Sequence, residues 1–122
     1  MNYANYKILV VDDELIMREY LGDILSDLGF KIVKVASGEE AIEKIDLESF
    51  DMVITDLKMP GIGGGKVFKH ARLKQPDAKL IIMTAYSLDL SGKQYIEEGA
   101  FGFILKPFEL TQIRKLVCSA FN

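Results

Sequence analysis

The amino-acid sequence predicts an α/β fold, namely a doubly wound five-stranded parallel sheet with helices on both faces. Short apolar runs rich in Val and Ile alternate with longer stretches of helical period, which is typical of βα units. The alternation occurs five times, too few repeats to close an eight-stranded barrel. The length of 122 residues and the hydrophobic share of 49% suit one core, so we predict a single domain over residues 1–122.

The five predicted strands are short apolar runs along the whole chain, at residues 7–11, 31–35, 52–55, 80–83 and 102–105.

The first two helices have clear sequence signals. Apolar residues at three- and four-residue steps from Met17 to Leu28 indicate the first helix, and Gly29 is its expected C′ residue. Ser37 and Glu40 form a capping-box signal that opens the second helix.

The helices of the second half differ in clarity. The third is expected to follow a glycine-rich loop and to end before Pro76. The segment from Ser87 to Glu98 is predicted as the fourth, although its apolar residues fit a period of 3.6 poorly. Apolar residues from Leu110 to Ala120 predict an amphipathic fifth helix after Pro107.

The rules for crossover connections restrict the order of the strands, and the flavodoxin-like order is one that satisfies them. Right-handed crossovers that cover both faces of a parallel sheet require one reversal of the strand order along the sheet. The flavodoxin-like (βα)5 order 2-1-3-4-5 places this reversal between strands one and three, and ligands bind beyond the carboxyl ends of strands at such a point. The residues that end strands one and three are therefore expected to meet.

Composition excludes several classes of protein. The net charge is −3 and the 15 basic residues are scattered, which argues against direct nucleic-acid contact. No apolar run approaches the ~20 residues of a membrane span, and the N-terminus lacks a signal-peptide pattern. Cys118 is the only cysteine, so it forms no intramolecular disulfide, and we interpret it as an apolar filler on a helix. We predict a cytoplasmic protein without membrane contact.

Four of the five predicted strands deliver polar side chains to the same edge of the sheet. Asp12 and Asp13 follow strand one, Asp56 follows strand three, Thr84 follows strand four, and Lys106 follows strand five. Each alone has an ordinary explanation: a helix N-cap for either of the first two aspartates, a solvated loop carboxylate, a strand-end hydroxyl, a surface lysine.

Together these residues indicate phosphoryl chemistry. Three carboxylates within about 5 Å repel one another by roughly 3 kcal/mol per pair at an effective dielectric near 20, so a cation is needed among them. Mg²⁺ suits such an all-oxygen site, and a lysine adds a second positive charge. An aspartate nucleophile with a hard cation, an ammonium and a hydroxyl is what phosphoryl transfer to a carboxylate requires.

The glycine run after Asp56 is not a phosphate-binding loop by its spacing. A Walker loop ending in Gly65-Lys66 would need Gly where Pro60 stands and a hydroxyl where Val67 stands. A dinucleotide fingerprint from Gly61 would need glycine at position 66. We predict instead that the glycines let the backbone turn tightly beside Asp56.

Four motifs, LVVDDE, VITDLKMPG, MTAY and GAFGFILKPF, occur in this order along nearly the whole chain. With them the chain resembles the receiver domain of two-component response regulators, chemotaxis regulators among them. The resemblance implies that Asp56 accepts a phosphoryl group from a phosphohistidine of a sensor histidine kinase or phosphotransfer protein. It further implies that Asp13, Asp56 and the backbone carbonyl of Lys58 bind Mg²⁺ directly, with Mn²⁺ as a substitute ion, and that Asp12 acts through a coordinated water.

The resemblance also implies how a signal leaves the site. Lys106 would pair with the phosphoryl oxygens, and its peptide bond to Pro107 would be cis. Thr84 would hydrogen-bond the phosphoryl group, and Phe103 would rotate inward on activation; without the resemblance, Phe103 is equally well explained as half-buried packing on an edge strand. The face of helix four, strand five and helix five would then change for a downstream protein or output domain.

The resemblance extends to two residues that influence how fast the phosphoryl group is lost, but the chain departs from the family pattern at Gly63. Lys58 and Tyr86 occupy positions that influence the loss of the aspartyl phosphate in the family that the chain resembles, and a bulky Tyr86 is expected to hinder attacking water. Gly63 stands where that family usually has Asp or Asn, so helix three lacks a side-chain cap, a loss of about 0.5 kcal/mol.

The function expected is therefore a self-phosphorylating and self-dephosphorylating switch, and not an enzyme that turns over an external substrate. An alternative is a small Mg²⁺-dependent phosphatase with an aspartyl-phosphate intermediate, but the Asp-x-Asp spacing and a cap domain are missing. A flavodoxin-like cofactor carrier is a second alternative, disfavoured because Asp12, Asp13 and Glu14 would repel a flavin phosphate.

Overall fold

In the computed structural model, which describes residues 3–85 and 90–122, strands and helices alternate throughout. The strands are β1 (Lys7–Val11), β2 (Lys31–Val35), β3 (Met52–Asp56), β4 (Lys79–Thr84) and β5 (Gly102–Leu105). The helices are α1 (Leu15–Asp27), α2 (Gly38–Leu47), α3 (Gly64–Lys74), α4 (Leu90–Glu97) and α5 (Leu110–Ser119). All five predicted strands are present. Part of the predicted span of the fourth helix, residues 87–89, lies outside the described residues.

The sheet is parallel and has the order β2-β1-β3-β4-β5, which confirms the predicted topology. β3 and β4 extend slightly beyond their apolar runs, because the ladder continues through the pair Asp56 and Met83 and the pair Thr84 and Leu105. A polar residue at the end of each strand is thereby held by backbone hydrogen bonds. The switch point lies between β1 and β3, as expected from the strand order.

Two apolar clusters lie on opposite faces of the sheet. One joins β-strand residues such as Ile8 and Val10 to α1 and α5, through Leu21, Leu25 and Ile113. The other joins alternate strand residues to α2 and α3, and Tyr95 of α4 packs against it. Because successive strand residues point to opposite faces, the near-continuous apolar strands feed both clusters. Within the described residues, every helix is too short or too polar to cross a membrane.

Candidate functional site

Asp12 and Asp56 lie side by side at the carboxyl edge of the sheet, where Asp12 directly follows β1 and Asp56 is the last residue of β3. β1 pairs with β3 in a register that sets Val11 opposite Thr55, and each aspartate is the next residue along its chain. Asp12 is fully buried and Asp56 is 7% exposed. The two carboxylates therefore share a small volume that is largely shielded from water, as the strand order predicted.

Lys106 brings an ammonium group into this volume. Its Nζ donates to Asp12 Oδ2 at 2.8 Å, to Asp56 Oδ2 at 3.0 Å and to Glu14 Oε1 at 3.3 Å. Its backbone N–H donates to the carbonyl of Thr84 at 2.7 Å, and its peptide bond to Pro107 is cis. One lysine thus links the ends of β1, β3, β4 and β5.

Glu14 and Arg18 also belong to the site, and the sequence reasoning missed both. Glu14 occupies the N-cap position of α1, and its backbone N–H donates to Asp12 Oδ1 at 2.9 Å. Arg18 Nη1 donates to the carbonyl of Asp12 at 2.7 Å. The interpretation of Asp12 or Asp13 as the N-cap residue is therefore wrong. Three consecutive acids with an arginine one turn later are the signal that points to this arrangement.

Burial and charge pull the protonation of Asp56 in opposite directions. Burial raises the pKa of Asp56, and the hydrogen bond and charge of Lys106 oppose this without overcoming it, while Asp12 adds to the rise. Burial acts to lower the pKa of Lys106, but its hydrogen bonds to Asp12 and Asp56 raise it overall. The aspartate pays an electrostatic cost in the folded protein, and the lysine stays charged.

Asp12, Asp13 and Asp56 form a cluster that can hold a metal ion. One carboxylate oxygen from each lies within 4.8 Å of the others, and Asp13 is the exposed member. Carboxylate oxygens are ligands that suit a hard cation such as Mg²⁺. Because Mg²⁺ usually keeps several water molecules, a site with one solvent-exposed side also suits it. The donor set therefore fits Mg²⁺.

A pocket of about 160 Å³ opens beside the carboxylate of Asp56. Its lining comes from the ends of β3, β4 and β5 and from the start of α1, and consists of Glu14, Asp56, Leu57, Lys58, Thr84, Ala85 and Lys106. The backbone of Lys58 hydrogen-bonds Asp56 and favours its ionised form. The volume of the pocket is several times the roughly 30 Å³ that one water molecule occupies in the liquid, so the pocket has room for a phosphoryl group.

The glycine loop shapes the backbone next to Asp56, as predicted. Gly61 adopts a left-handed φ of +74°, which favours glycine. Gly64 lies so close to the end of β3 that a Cβ there would overlap the carbonyl of Asp56. Gly63 is the N-cap of α3 without a side-chain hydrogen bond, as its lack of a side chain requires.

The other residues singled out from the sequence are spread around this edge. Thr84 is buried at 3% exposure and lines the pocket, and Lys58 is exposed at its rim. Phe103 on β5 is 38% exposed, so its ring lies at the surface and not in the core. Tyr86 lies outside the described residues.

Comparison with known proteins agrees with this geometry. Residues 8–118 match the family model of the response regulator receiver domain. The chain is 34% identical over 114 residues to sporulation initiation phosphotransferase F of Bacillus subtilis, covering 93% of this chain and 91% of that protein. It is 34% identical over 111 residues to response regulator protein FleR of Pseudomonas aeruginosa, covering 91% of this chain but only 24% of FleR.

A solved structure shares both the fold and part of the sequence. Response regulator protein TrrA of Thermotoga maritima, solved in complex with Mg²⁺ and BeF, is 36% identical with a TM-score of 0.84, and the match covers 94% of this chain and 98% of that one. The family model spans all five strands, apart from Lys7 at the start of β1, and the buried strand-end residues described above. On these grounds the chain belongs to the response regulator receiver domain family.

Proposed function

We propose that the chain is the phosphoacceptor switch of a two-component phosphorelay, with Asp56 as the residue that is phosphorylated. The observation that carries this proposal is the position of Lys106 Nζ, which contacts both Asp12 and Asp56 beside a three-carboxylate cluster. The ammonium group of a lysine that already bonds two buried carboxylates can also stabilise the negative charge of a phosphoryl group bound to one of them.

The reaction is a transfer from nitrogen to oxygen. A carboxylate oxygen of Asp56 attacks the phosphorus of a phosphohistidine on a sensor histidine kinase or phosphotransfer protein, and the P–N bond breaks with its electron pair returning to the imidazole. The attack needs ionised Asp56, which Lys106 and the backbone of Lys58 favour against the effect of burial. The residues that line the pocket would hold the incoming phosphoryl group beside Asp56.

Asp13, Asp56 and the backbone carbonyl of Lys58 would hold Mg²⁺, with Asp12 acting through a water molecule. When bound, the ion neutralises the crowded carboxylates and the developing charge on the phosphoryl oxygens. Mn²⁺ is an acceptable substitute because its ligand preferences are similar. The donor cluster of oxygens within 4.8 Å supports this assignment.

The switch is proposed to work through Thr84 and Phe103. Buried Thr84 lines the pocket, so its hydroxyl would be near enough to bond a phosphoryl oxygen. Phe103 starts from a surface position on the neighbouring strand and would turn inward. The face formed by α4, β5 and α5 would then present a different surface to a downstream protein or an output domain in the cytoplasm.

Lys58 and Tyr86 are proposed to set how long the phosphoryl group stays. Lys58 is exposed at the pocket rim, where a side chain can admit or exclude attacking water. Replacement Tyr86→Ala is expected to speed loss of the phosphoryl group, measured as the decay of phosphorylated protein by mass spectrometry. An unchanged decay rate would remove Tyr86 from this role.

Labelling with acetyl phosphate tests the assignment of Asp56. The wild-type chain should gain one phosphoryl group in Mg²⁺ and none in excess chelator, and Asp56→Asn should gain none. Asp46→Asn is the matched control, since Asp46 is an exposed aspartate that pairs with His70 at 2.7 Å. Labelling that persists in Asp56→Asn would contradict the assignment, and steady phosphate release from phosphoesters would favour a phosphatase.

A further inference from the structure

Tyr95 of α4, a helix of the proposed signalling face, contacts Gly65 in the first turn of α3. This turn directly follows residues 57–63, the loop after Asp56, which we call the phosphoacceptor loop. A Cβ on Gly65 would overlap the hydroxyl oxygen of Tyr95. The ring of Tyr95 packs edge-on against Phe68, with centroids 5.0 Å apart and an interplanar angle of 76°. The tyrosine therefore occupies the space that a side chain at position 65 would take.

The first turn of α3 is in turn fixed to the phosphoacceptor strand. Gly64 approaches the carbonyl of Asp56 too closely for any larger residue, and its N–H donates to the carbonyl of Leu57 at 3.0 Å. Phe68, one turn further on, is buried in the core cluster that includes strand residues. A displacement of the backbone after Asp56 must therefore move the turn that carries Gly65.

One turn further along α3, a second contact reaches the residues that follow α4. The Arg72 guanidinium lies over the ring of Phe68, with its Cζ 5.8 Å from the centroid, and a Cβ on Gly99 would lie 3.1 Å from that carbon. Side chains thus lie between α3 and α4 at Tyr95, and between α3 and the residues after α4 at Arg72. Tyr95 makes the contact nearer the start of α3.

We propose that Tyr95 is a positioning residue that couples α4 to the phosphoacceptor loop, so that a change at Asp56 reaches α4 through Gly65. This inference rests on the proposed function. It adds a second connection, on the α3 side of the site, to the one expected through Thr84 and Phe103. Coupling of this kind needs a demonstrated energetic link and not only spatial contact.

The geometry of the contact supplies a test by rescue. The atom of Tyr95 that conflicts with a Cβ at position 65 is the hydroxyl oxygen, whereas the ring carbon Cζ is 3.6 Å away, which is an ordinary contact distance. Gly65→Ala should therefore displace the tyrosine. Gly65→Ala combined with Tyr95→Phe should accommodate both side chains.

Hydrogen exchange of α4 amides, measured by mass spectrometry on the full chain with Mg²⁺ and with or without beryllofluoride, reads the coupling. Gly65→Ala and Tyr95→Leu should each reduce the beryllofluoride-induced change in α4 by about threefold or more, within the range seen for coupling residues. Tyr95→Phe and the double variant Gly65→Ala with Tyr95→Phe should keep it within about twofold of wild type.

Tyr6→Leu is the matched control, because Tyr6 stacks on Phe121 with centroids 4.5 Å apart, away from the site. It should leave the α4 response unchanged. A double variant as defective as Gly65→Ala alone, or a normal response in Tyr95→Leu, would overturn the inference. Acetyl phosphate labelling of the wild type and of each variant separates the two proposals. A wild type that is not labelled refutes the proposed function. If Gly65→Ala and Tyr95→Leu are labelled normally and keep the wild-type α4 response, only the coupling is refuted.

Discussion

The two ends of the sheet are built on opposite principles. At the carboxyl end, buried Asp12 and Asp56 share hydrogen bonds from Lys106. At the amino end, aromatic rings close the sheet: Tyr3 stacks on Phe30, and Tyr6 stacks on Phe121, each with centroids 4.5 Å apart. The carboxyl end of the sheet thus buries charged side chains, whereas the amino end is covered by stacked aromatic rings.

The amino end is also tied by one side chain that satisfies three backbone groups. Gln75 Oε1 accepts from the N–H of Phe50 at 2.6 Å, and its Nε2 donates to the carbonyls of Ile45 at 2.8 Å and Glu48 at 2.6 Å. These bonds connect the end of α3 to the end of α2 and the start of β3. The difference between the ends indicates that stability is provided at one edge so that electrostatic strain can be kept at the other.

The largest effect on stability is expected at the amino end. Phe30→Ala removes a ring that is 4% exposed and stacked on Tyr3, and should lower the free energy of unfolding by about 3 kcal/mol. Urea unfolding measures this loss. Acetyl phosphate labelling of the folded variant should be unchanged, and a loss of labelling under native conditions would show that the two ends are not independent.

A smaller loss is expected from the loop beside Asp56. Gly64→Ala places a Cβ against the carbonyl of Asp56, and overpacking against backbone should cost about 2 kcal/mol. Gly65→Ala is the neighbouring control, because its Cβ would overlap a side-chain atom, the hydroxyl oxygen of Tyr95, and not a backbone carbonyl. Equal losses from the two changes in urea unfolding would contradict the close approach described for Gly64.

Removing the buried charge should stabilise the protein. Because burial raises the pKa of Asp56, the ionised form is disfavoured in the folded state, and Asp56→Asn should raise the free energy of unfolding in metal-free buffer by about 1 kcal/mol. The gain should be absent below the ordinary pKa of 3.8, where the carboxyl is protonated in both states, and should grow as the pH rises through the raised pKa. A gain that is constant across this range would rule out the electrostatic cause.

The smallest effect is expected at the amino end, from a surface ion pair. Hydrogen bonds to Lys7 and Lys44 lower the pKa of Glu48, so its stabilising contribution is present above the ordinary value of 4.5 and fades as the pH falls through the lowered pKa. Glu48→Gln should change the urea midpoint only slightly at neutral pH, and less still in acid. A larger effect than that of Asp56→Asn would reverse the contrast between the two ends.

The sequence was informative where local patterns decide the structure. Val- and Ile-rich runs located all five strands. Crossover rules restricted their order, and the flavodoxin-like order that satisfies these rules predicted the meeting of Asp12 with Asp56. The contacts of Glu14 and Arg18 were missed, since they depend on how α1 begins after β1. The contact of Tyr95 with Gly65 was also missed, because side chains on separate helices meet only once both helices pack on the sheet.

Chemical mapping of the phosphorylated residue tests the central claim most directly. After treatment with acetyl phosphate, borohydride reduction converts an aspartyl phosphate to homoserine, which peptide mass spectrometry locates. We expect homoserine at position 56 in Mg²⁺ and none in chelator. Homoserine at position 12 or 13, or modification that does not depend on the metal, would contradict a site in which Lys106 and the neighbouring carboxylates prepare Asp56 for transfer.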